Sequence, residues 1–295
     1  MILNVSGRTD IIAFYEKWFM NRLNAGFVDV RNPFNPNLVS RINFSDVDLI
    51  LFCTKNPIPI LNDLDKIKIP FIFHVTITPY KNDIEPNVIS KTEIINAVKK
   101  ISTIIGKDNI YIRYDPIFLS DKYNIVYHIK AFNKLCTLLK GYVNTIIVSF
   151  LDEYKNVLKN KNILKYRQFT ENEYKLIGEN FSNIARTNNM VVQTCFEDRN
   201  LTEYGFKKGE CLSHELAYKL TGKTYKSWKA RKERKCECVE MVDVGCYNSC
   251  KHFCKYCYAN YDEKMVNENF KNHDVNSSLL CGILKKDDII KVRNK

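Results

Sequence analysis

The sequence predicts an α/β fold of about six parallel strands alternating with helices, as an open doubly wound sheet or a partial (β/α) barrel, with a C-terminal cysteine-rich segment suited to binding metal. Three observations lead there. Short apolar, β-branched runs recur through residues 1–200, stretches with helical spacing separate them, and eight of the 11 cysteines fall between Cys195 and Cys257. Near-continuous apolar strands alternating with helices indicate βα units, whose parallel strands are buried on both faces.

The strand candidates are Ile2–Val5, Leu49–Cys53, Phe71–Ile77, Ile110–Ile112, Thr145–Val148 and Met190–Thr194. Helical spacing is seen over Ile11–Leu23, Lys91–Ile105, Asn124–Leu139 and Glu171–Thr187. Ser90 with Glu93, and Thr170 with Glu173, have the spacing of capping boxes, in which side chains satisfy the free N–H groups of a first turn. Gly106 and Gly141 fall where helices should stop. Residues 6–48 are otherwise less regular, and Arg31-Asn32-Pro33 starts a loop. Parallel strands form either an open doubly wound sheet or a barrel wall. No Gly-x-Gly-x-x-Gly follows the first strand, which argues against dinucleotide binding. The expected division is a barrel over 1–200 and a cysteine-rich segment over 201–295 that packs on its mouth.

Composition excludes several classes. A chain of 295 residues with 45% hydrophobic and 12% aromatic residues can bury a sizeable core and is not a disordered protein. No run approaches the roughly 18 apolar residues of a membrane span. Met1 to Asp10 lacks the basic start and apolar stretch of a signal peptide, so a cytoplasmic location is expected. In that reducing compartment the cysteines point to metal binding rather than a disulfide framework. Cys53 and Cys136 lie in apolar patterns and read as small core residues.

Polar residues recur just past the strand ends: Arg8 and Asp10, Lys55 and Asn56, Thr76, Arg113 and Asp115, Ser149, then Cys195 and Glu197. In a barrel these ends share one mouth, where an active site is built. Turns after strands are polar in any case, so the charged pairs Arg8/Asp10 and Arg113/Asp115 carry more weight than any single residue. Arg8, Lys55 and Arg113 suit a carboxylate, phosphate or anionic substrate, and Asp10, Asp115 and Glu197 suit hydroxyl or amino groups.

The most specific signal is Cys250-x3-Cys254-x2-Cys257, with Tyr256 before the last cysteine. Three thiolates on one short loop can wrap a single iron–sulfur cube and leave its fourth iron without a protein ligand. Tyr256 would shield one side of the cluster. If Cys246 joins, four thiolates close a ferredoxin-type cluster or a zinc site, which would conduct electrons or stabilise a fold.

Cys250, Cys254, Tyr256 and Cys257 resemble the signature of the radical S-adenosylmethionine superfamily, Cys-x3-Cys-x-aromatic-Cys. Tyr258 is similar to the residue after the last cysteine in spore photoproduct lyase-like members. Ser6-Gly7-Arg8-Thr9-Asp10, Arg31-Asn32-Pro33, Thr54-Lys55-Asn56-Pro57, Arg113-Tyr114-Asp115-Pro116 and Tyr247–Asn260 resemble, over nearly the full length, an uncharacterised bacterial family with a C-terminal cysteine motif. The resemblance implies a partial barrel, a [4Fe-4S] cluster on Cys250, Cys254 and Cys257, and S-adenosyl-L-methionine. It also implies a small one-electron donor such as a flavodoxin or ferredoxin, and names no substrate. Most members carry the cysteine loop after their first strand. Here Val239–Val244 as a strand, the loop, and Tyr258–Phe270 as a helix would place that unit last, as a circular permutation leaves it; the other arrangement is a cap over the mouth. The rival function is a non-enzymatic iron–sulfur or zinc protein that transfers electrons or binds nucleic acid.

Cys195, Cys211, Cys236 and Cys238 form a second, looser set that suits an auxiliary iron–sulfur cluster, a zinc ion, or unconnected thiols. Cys246 and Cys281 have no assignment. His214 and His252 are potential ligands, though isolated histidines are commonly ordinary hydrogen-bonding groups. The net charge of +12 concentrates in Lys219–Lys235, with Tyr225 and Trp228 among its basic residues. Such a segment could follow a phosphate backbone and stack on bases, or be a solvated connector.

Overall fold

The computed structural model describes residues 1–195, 197, 199–228 and 237–293. The chain forms β1 (Ile2–Val5), α1 (Ile11–Phe14), α2 (Glu16–Ala25), β2 (Phe27–Arg31), β3 (Leu38–Asn43), β4 (Leu49–Thr54), β5 (Phe71–Thr76), α3 (Lys91–Ile105) and β6 (Ile110–Ile117). It continues through α4 (Ile125–Leu139), β7 (Thr145–Phe150), α5 (Lys155–Lys159), α6 (Lys161–Leu164), α7 (Glu171–Thr187), β8 (Val191–Thr194), β9 (Lys207–Lys208) and α8 (His214–Thr221). The last elements are β10 (Met241–Asp243), α9 (Glu263–Lys271) and β11 (Ile289–Val292).

An eight-stranded sheet runs in the order β10-β1-β4-β5-β6-β7-β8-β9 with every pairing parallel. Alternate residues on its strands face opposite ways. Leu3 and Val5, Ile50 and Phe52, Phe73 and Val75, and Ile146 and Val148 join one core with α1, α2, α3, α4 and α7. Those helices cover a single face, as in a barrel wall; a doubly wound sheet would carry them on both. The opposite face is apolar at the strand starts, where Ile2, Leu49, Leu51, Ile72 and Met241 meet Leu212, Ala217 and Val239. Its strand ends carry Asn4, Cys53, His74, Thr76, Arg113, Asp115, Ser149 and Asp243 at alternating positions.

The helices follow local chemistry. Both capping boxes form, at Ser90/Glu93 and Thr170/Glu173. Ile94, Val98 and Ile101 give α3 one apolar face, and Phe181 of α7 stacks on Phe132 of α4 with ring centres 3.8 Å apart. The single helix expected over Ile11–Leu23 is interrupted at Tyr15, whose ring is buried against Phe270 and His273 and whose hydroxyl donates to the Ser249 carbonyl at 2.6 Å. Tertiary contact with the cysteine loop prevails over helical periodicity there.

Two departures matter for the site. Residues read as irregular form a small second sheet, β11-β3-β2, braced by Arg41 on Asp29 through paired 2.8 Å contacts. Residues 201–295 are also not one layer on the mouth. β10 enters the main sheet beside β1, residues around α8 cover the second face, and β11 pairs with β3. The cysteine loop alone therefore takes the position at the C-terminal strand ends. No helix among the described residues is long and apolar enough to cross a membrane.

Candidate metal centre

β10 and β1 are parallel, with Ile2 opposite Met241 and Asn4 opposite Asp243, so the loop that leaves β10 emerges at the C-terminal edge of the sheet. Asp243 fixes this junction. Its Oδ1 accepts from Arg8 Nε at 2.9 Å and Ser6 Oγ at 3.0 Å, and its carbonyl accepts from Arg8 at 2.8 Å. Gly245 follows because a Cβ there would lie 1.9 Å from Ser6 Oγ. Arg8 thus pairs with Asp243.

Asp10 holds the loop from the other side. Oδ1 caps α1 at Ala13 N and accepts from Thr54 Oγ1 at 2.7 Å; Oδ2 accepts from the Lys55 N–H at 2.7 Å and lies 2.9 Å from His252 Nε2. One buried carboxylate therefore ties the ends of β1 and β4 to the middle of the cysteine loop. His252 is an anchor and His214 pairs with Ser227 at 3.0 Å, so each histidine has a hydrogen-bonding role. Loop carbonyls that burial would orphan are met by asparagines. Asn87 donates to Lys251 O at 2.8 Å, Asn156 to Cys257 O at 2.7 Å and Asn260 O at 2.6 Å, and Asn160 to Lys255 O at 2.7 Å.

Cys250 and Cys254 are buried and Cys257 half-buried, all three as free thiols. Burial, the Asp10 carboxylate and the two sister thiols push Cys250 upward. Burial likewise pushes Cys254 up to about 12, against the pull of Lys55. Tyr256 is buried with Tyr80 and Ile84 beside Cys254, and its hydroxyl donates to Glu85. Glu85 is 1% exposed and also accepts from Lys55 at 2.9 Å, Thr78 at 2.6 Å and Lys91. Burial alone would raise its carboxyl; Lys55 and Lys91 prevail and hold it at about 2. Lys55 lies 5.5 Å over the Tyr256 ring, which brings a fixed positive charge to the cluster loop. Cys246 sits apart from the three: with Cys281 it packs against the main core and lines a separate cavity, and its thiol donates to the Tyr247 carbonyl at 3.4 Å. Free, buried thiols beside a cation and without Cys246 fit a cluster held by three ligands.

The polar strand ends of the second face form a separate group. Arg113 Nε and Nη2 donate to Asp115 Oδ2 at 2.9 and 2.6 Å, and Ser149 donates to Asp115 Oδ1. Thr76 lies opposite Arg113 in the β5–β6 register. Asn56 shapes the turn after β4 instead, accepting from the Ile58 N–H at 3.2 Å, and Glu197 accepts from the Phe150 N–H at 2.8 Å. His74 is fully buried on this face; burial and then Arg113 push it down to about 3, so it is neutral.

The second cysteine set assembles in part. Cys195, Cys211 and Cys238 bring their sulfurs within 4.8 Å of one another and could hold a metal, while Cys236 lies outside the described residues. Arg113 Nη1 donates to Cys211 Sγ at 3.1 Å, linking this set to Asp115 and Ser149. Tyr225 and Trp228, read as candidates for base stacking, pack against the apolar cluster of the second face. Both rings are half-buried there, and Lys229, Arg231 and Lys232 lie outside the described residues.

Residues missed by sequence reasoning are Glu85, Asp243 and the asparagines Asn87, Asn156 and Asn160. Asp243 ends a run already read as a strand before the loop, which was the one available signal. The others become neighbours of the loop only through the fold.

The chain is similar to a solved structure of the FimX EAL domain from Xanthomonas citri in complex with c-diGMP at 9% identity, over 65% of this chain and 89% of that one, with a TM-score of 0.22. That likeness is too slight to bear on fold or function. Comparison with curated proteins found no match. Residues 2–259, from β1 through all three loop cysteines, match the family model described as Domain of unknown function (DUF1848), and the chain belongs to that family.

Proposed function

We propose that this protein is a radical S-adenosylmethionine enzyme whose [4Fe-4S] cluster is held by Cys250, Cys254 and Cys257. The observation that carries the reading is the entry of β10 beside β1, which brings a three-thiol loop to the C-terminal strand ends next to Lys55, Asp10 and the Glu85 network. The packing of Cys246 with Cys281, apart from the group that holds Cys254, Tyr256 and Cys257, favours three ligands over four. Held by Cys250, Cys254 and Cys257, such a cluster would supply one-electron reductive cleavage of the cofactor and, through it, hydrogen abstraction from a substrate.

The chain's own residues have distinct parts. Lys55, oriented by Glu85, offers its positive charge beside Cys254 for an anionic group of the cofactor. Tyr256 excludes water from that side of the loop. Arg113, Asp115, Ser149 and Thr76 face the region beyond the strand ends, where they bind and orient the substrate. A small one-electron donor is the partner this chemistry requires. The test is anaerobic reconstitution, reduction and incubation with the cofactor. The reading expects 5′-deoxyadenosine from the unaltered chain and none from Cys250→Ala. A fully loaded, reducible protein that neither binds nor cleaves the cofactor would replace it with an electron-transfer role.

A further inference from the structure

The second set of thiols has a spacing that identifies what it can hold. Cys195 Sγ lies 3.0 Å from Cys211 Sγ and 4.0 Å from Cys238 Sγ, and all three sulfurs fall within 4.8 Å of one another. Around one tetrahedral ion with metal–sulfur bonds of about 2.3 Å, ligand sulfurs stand about 3.8 Å apart. Thiolates on a four-iron cube each bind a different iron and must stand farther apart than that. The loop cysteines are not drawn together in this way: among the described residues, Cys195, Cys211 and Cys238 form the one group that meets the 4.8 Å limit. The 3.0 Å contact is also well beyond the roughly 2.05 Å of a disulfide.

Two further features belong to a thiolate site. The Cys211 N–H donates to Cys238 Sγ at 3.2 Å and Arg113 Nη1 donates to Cys211 Sγ at 3.1 Å, the kind of N–H···S support that orients ligands and disperses their charge. Cys195 and Cys238 are 5% and 1% exposed and Cys211 is half-buried, so the ion would be largely enclosed, with a water as the fourth ligand that tetrahedral coordination needs. The three residues come from different parts of the chain: the end of β8, the segment before α8, and the run before β10.

We infer that Cys195, Cys211 and Cys238 are ligands of a single zinc-class ion, distinct from the iron–sulfur loop, which fastens residues 207–228 and 237–239 to the second face of the sheet. The ion would lie where Ile147 and Tyr111 of the sheet pack with Cys195 and Cys238, beside Arg113. It therefore sits against the substrate-facing group without being part of the cluster.

The test uses the full-length chain carrying Cys250→Ala, Cys254→Ala and Cys257→Ala, so that loop-bound iron does not obscure the result. Metal and acid-labile sulfide are measured after anaerobic purification, then Co2+ is titrated into the metal-free protein. The expected result is one zinc per chain, no labile sulfide, and one equivalent of Co2+ with thiolate charge-transfer bands and the intense visible bands of a tetrahedral site. Adding Cys195→Ser, Cys211→Ser or Cys238→Ser should weaken Co2+ binding at least about tenfold. Iron and sulfide retained in place of zinc, a Cys195–Cys211 disulfide by mass spectrometry, or no bound metal would each overturn the assignment. If a serine variant fails to fold, the zinc, iron and sulfide content of the parent variant still decides between these results.

Discussion

Replacing Glu85 with Gln isolates the charge that holds the cluster loop against the sheet. Glu85 is 1% exposed and accepts from Lys55, Thr78, Lys91 and Tyr256. Glutamine keeps the shape and can still accept from Thr78 and Tyr256, but it leaves two lysines without their counter-ion. Burial would raise the carboxyl, yet it is held at about 2 rather than the usual 4.5, a net stabilisation of about 3 kcal/mol. Breaking a buried ion pair by removing one partner costs about 3–5 kcal/mol. The Lys91 side chain is 30% exposed and can turn partly to water, whereas that of Lys55 is 13% exposed, so the lower end of the range applies. Glu85→Gln should therefore lose about 3 kcal/mol in urea denaturation at pH 7. The pH dependence has a definite sign. A carboxyl whose folded-state pKa is depressed stabilises fully above its unfolded value of 4.5, and that contribution disappears as pH falls through about 2. The difference between wild type and variant should accordingly shrink across that window. A loss below about 1 kcal/mol, or a difference that does not change with pH, would refute the reasoning.

Asn156→Ala removes the donor to the Cys257 and Asn260 carbonyls; it should cost about 1–3 kcal/mol and shorten iron retention on exposure to a chelator, measured as the decay of cluster absorbance. Asp10→Leu should reduce iron incorporated on reconstitution severalfold, because His252, Thr54 and the Lys55 N–H lose their common acceptor. Gly178→Ala would ordinarily stabilise a helix by about 1 kcal/mol, but a Cβ there comes within 2.8 Å of Tyr204 Cβ, so thermal unfolding should instead show a loss of about 1–3 kcal/mol.

The main sheet was legible because its strands are apolar on both faces. Ile2–Val5, Leu49–Cys53 and Phe71–Ile77 need no knowledge of their neighbours to read as buried strands, and the capping boxes at Ser90 and Thr170 locate helices by local bonding. The second sheet was not legible: Asp29, Arg31 and Arg41 interrupt the apolar residues of β2 and β3, and β11 is a short exposed strand that follows charged residues near the end of the chain. The Tyr15 break and the Asn156 contacts depend on a loop more than 100 residues away in sequence. The thiol motif was visible because its chemistry is encoded in close spacing. Glu85 was hidden because it lies past the end of β5, with no motif around it. Arg8 shows the same limit: its phrase marks a polar strand end, and the fold supplies its partner, Asp243, from the opposite end of the chain.

The central claim is an open iron on a cluster at the mouth of this sheet. It is tested most directly by low-temperature electron paramagnetic resonance of the anaerobically reconstituted, reduced full-length protein, recorded with and without S-adenosyl-L-methionine. The account predicts a [4Fe-4S]+ signal that changes its g-values when the cofactor is added, and that is absent from Cys254→Ala. A cluster signal unaltered by saturating cofactor, or one that survives loss of Cys254, would contradict it.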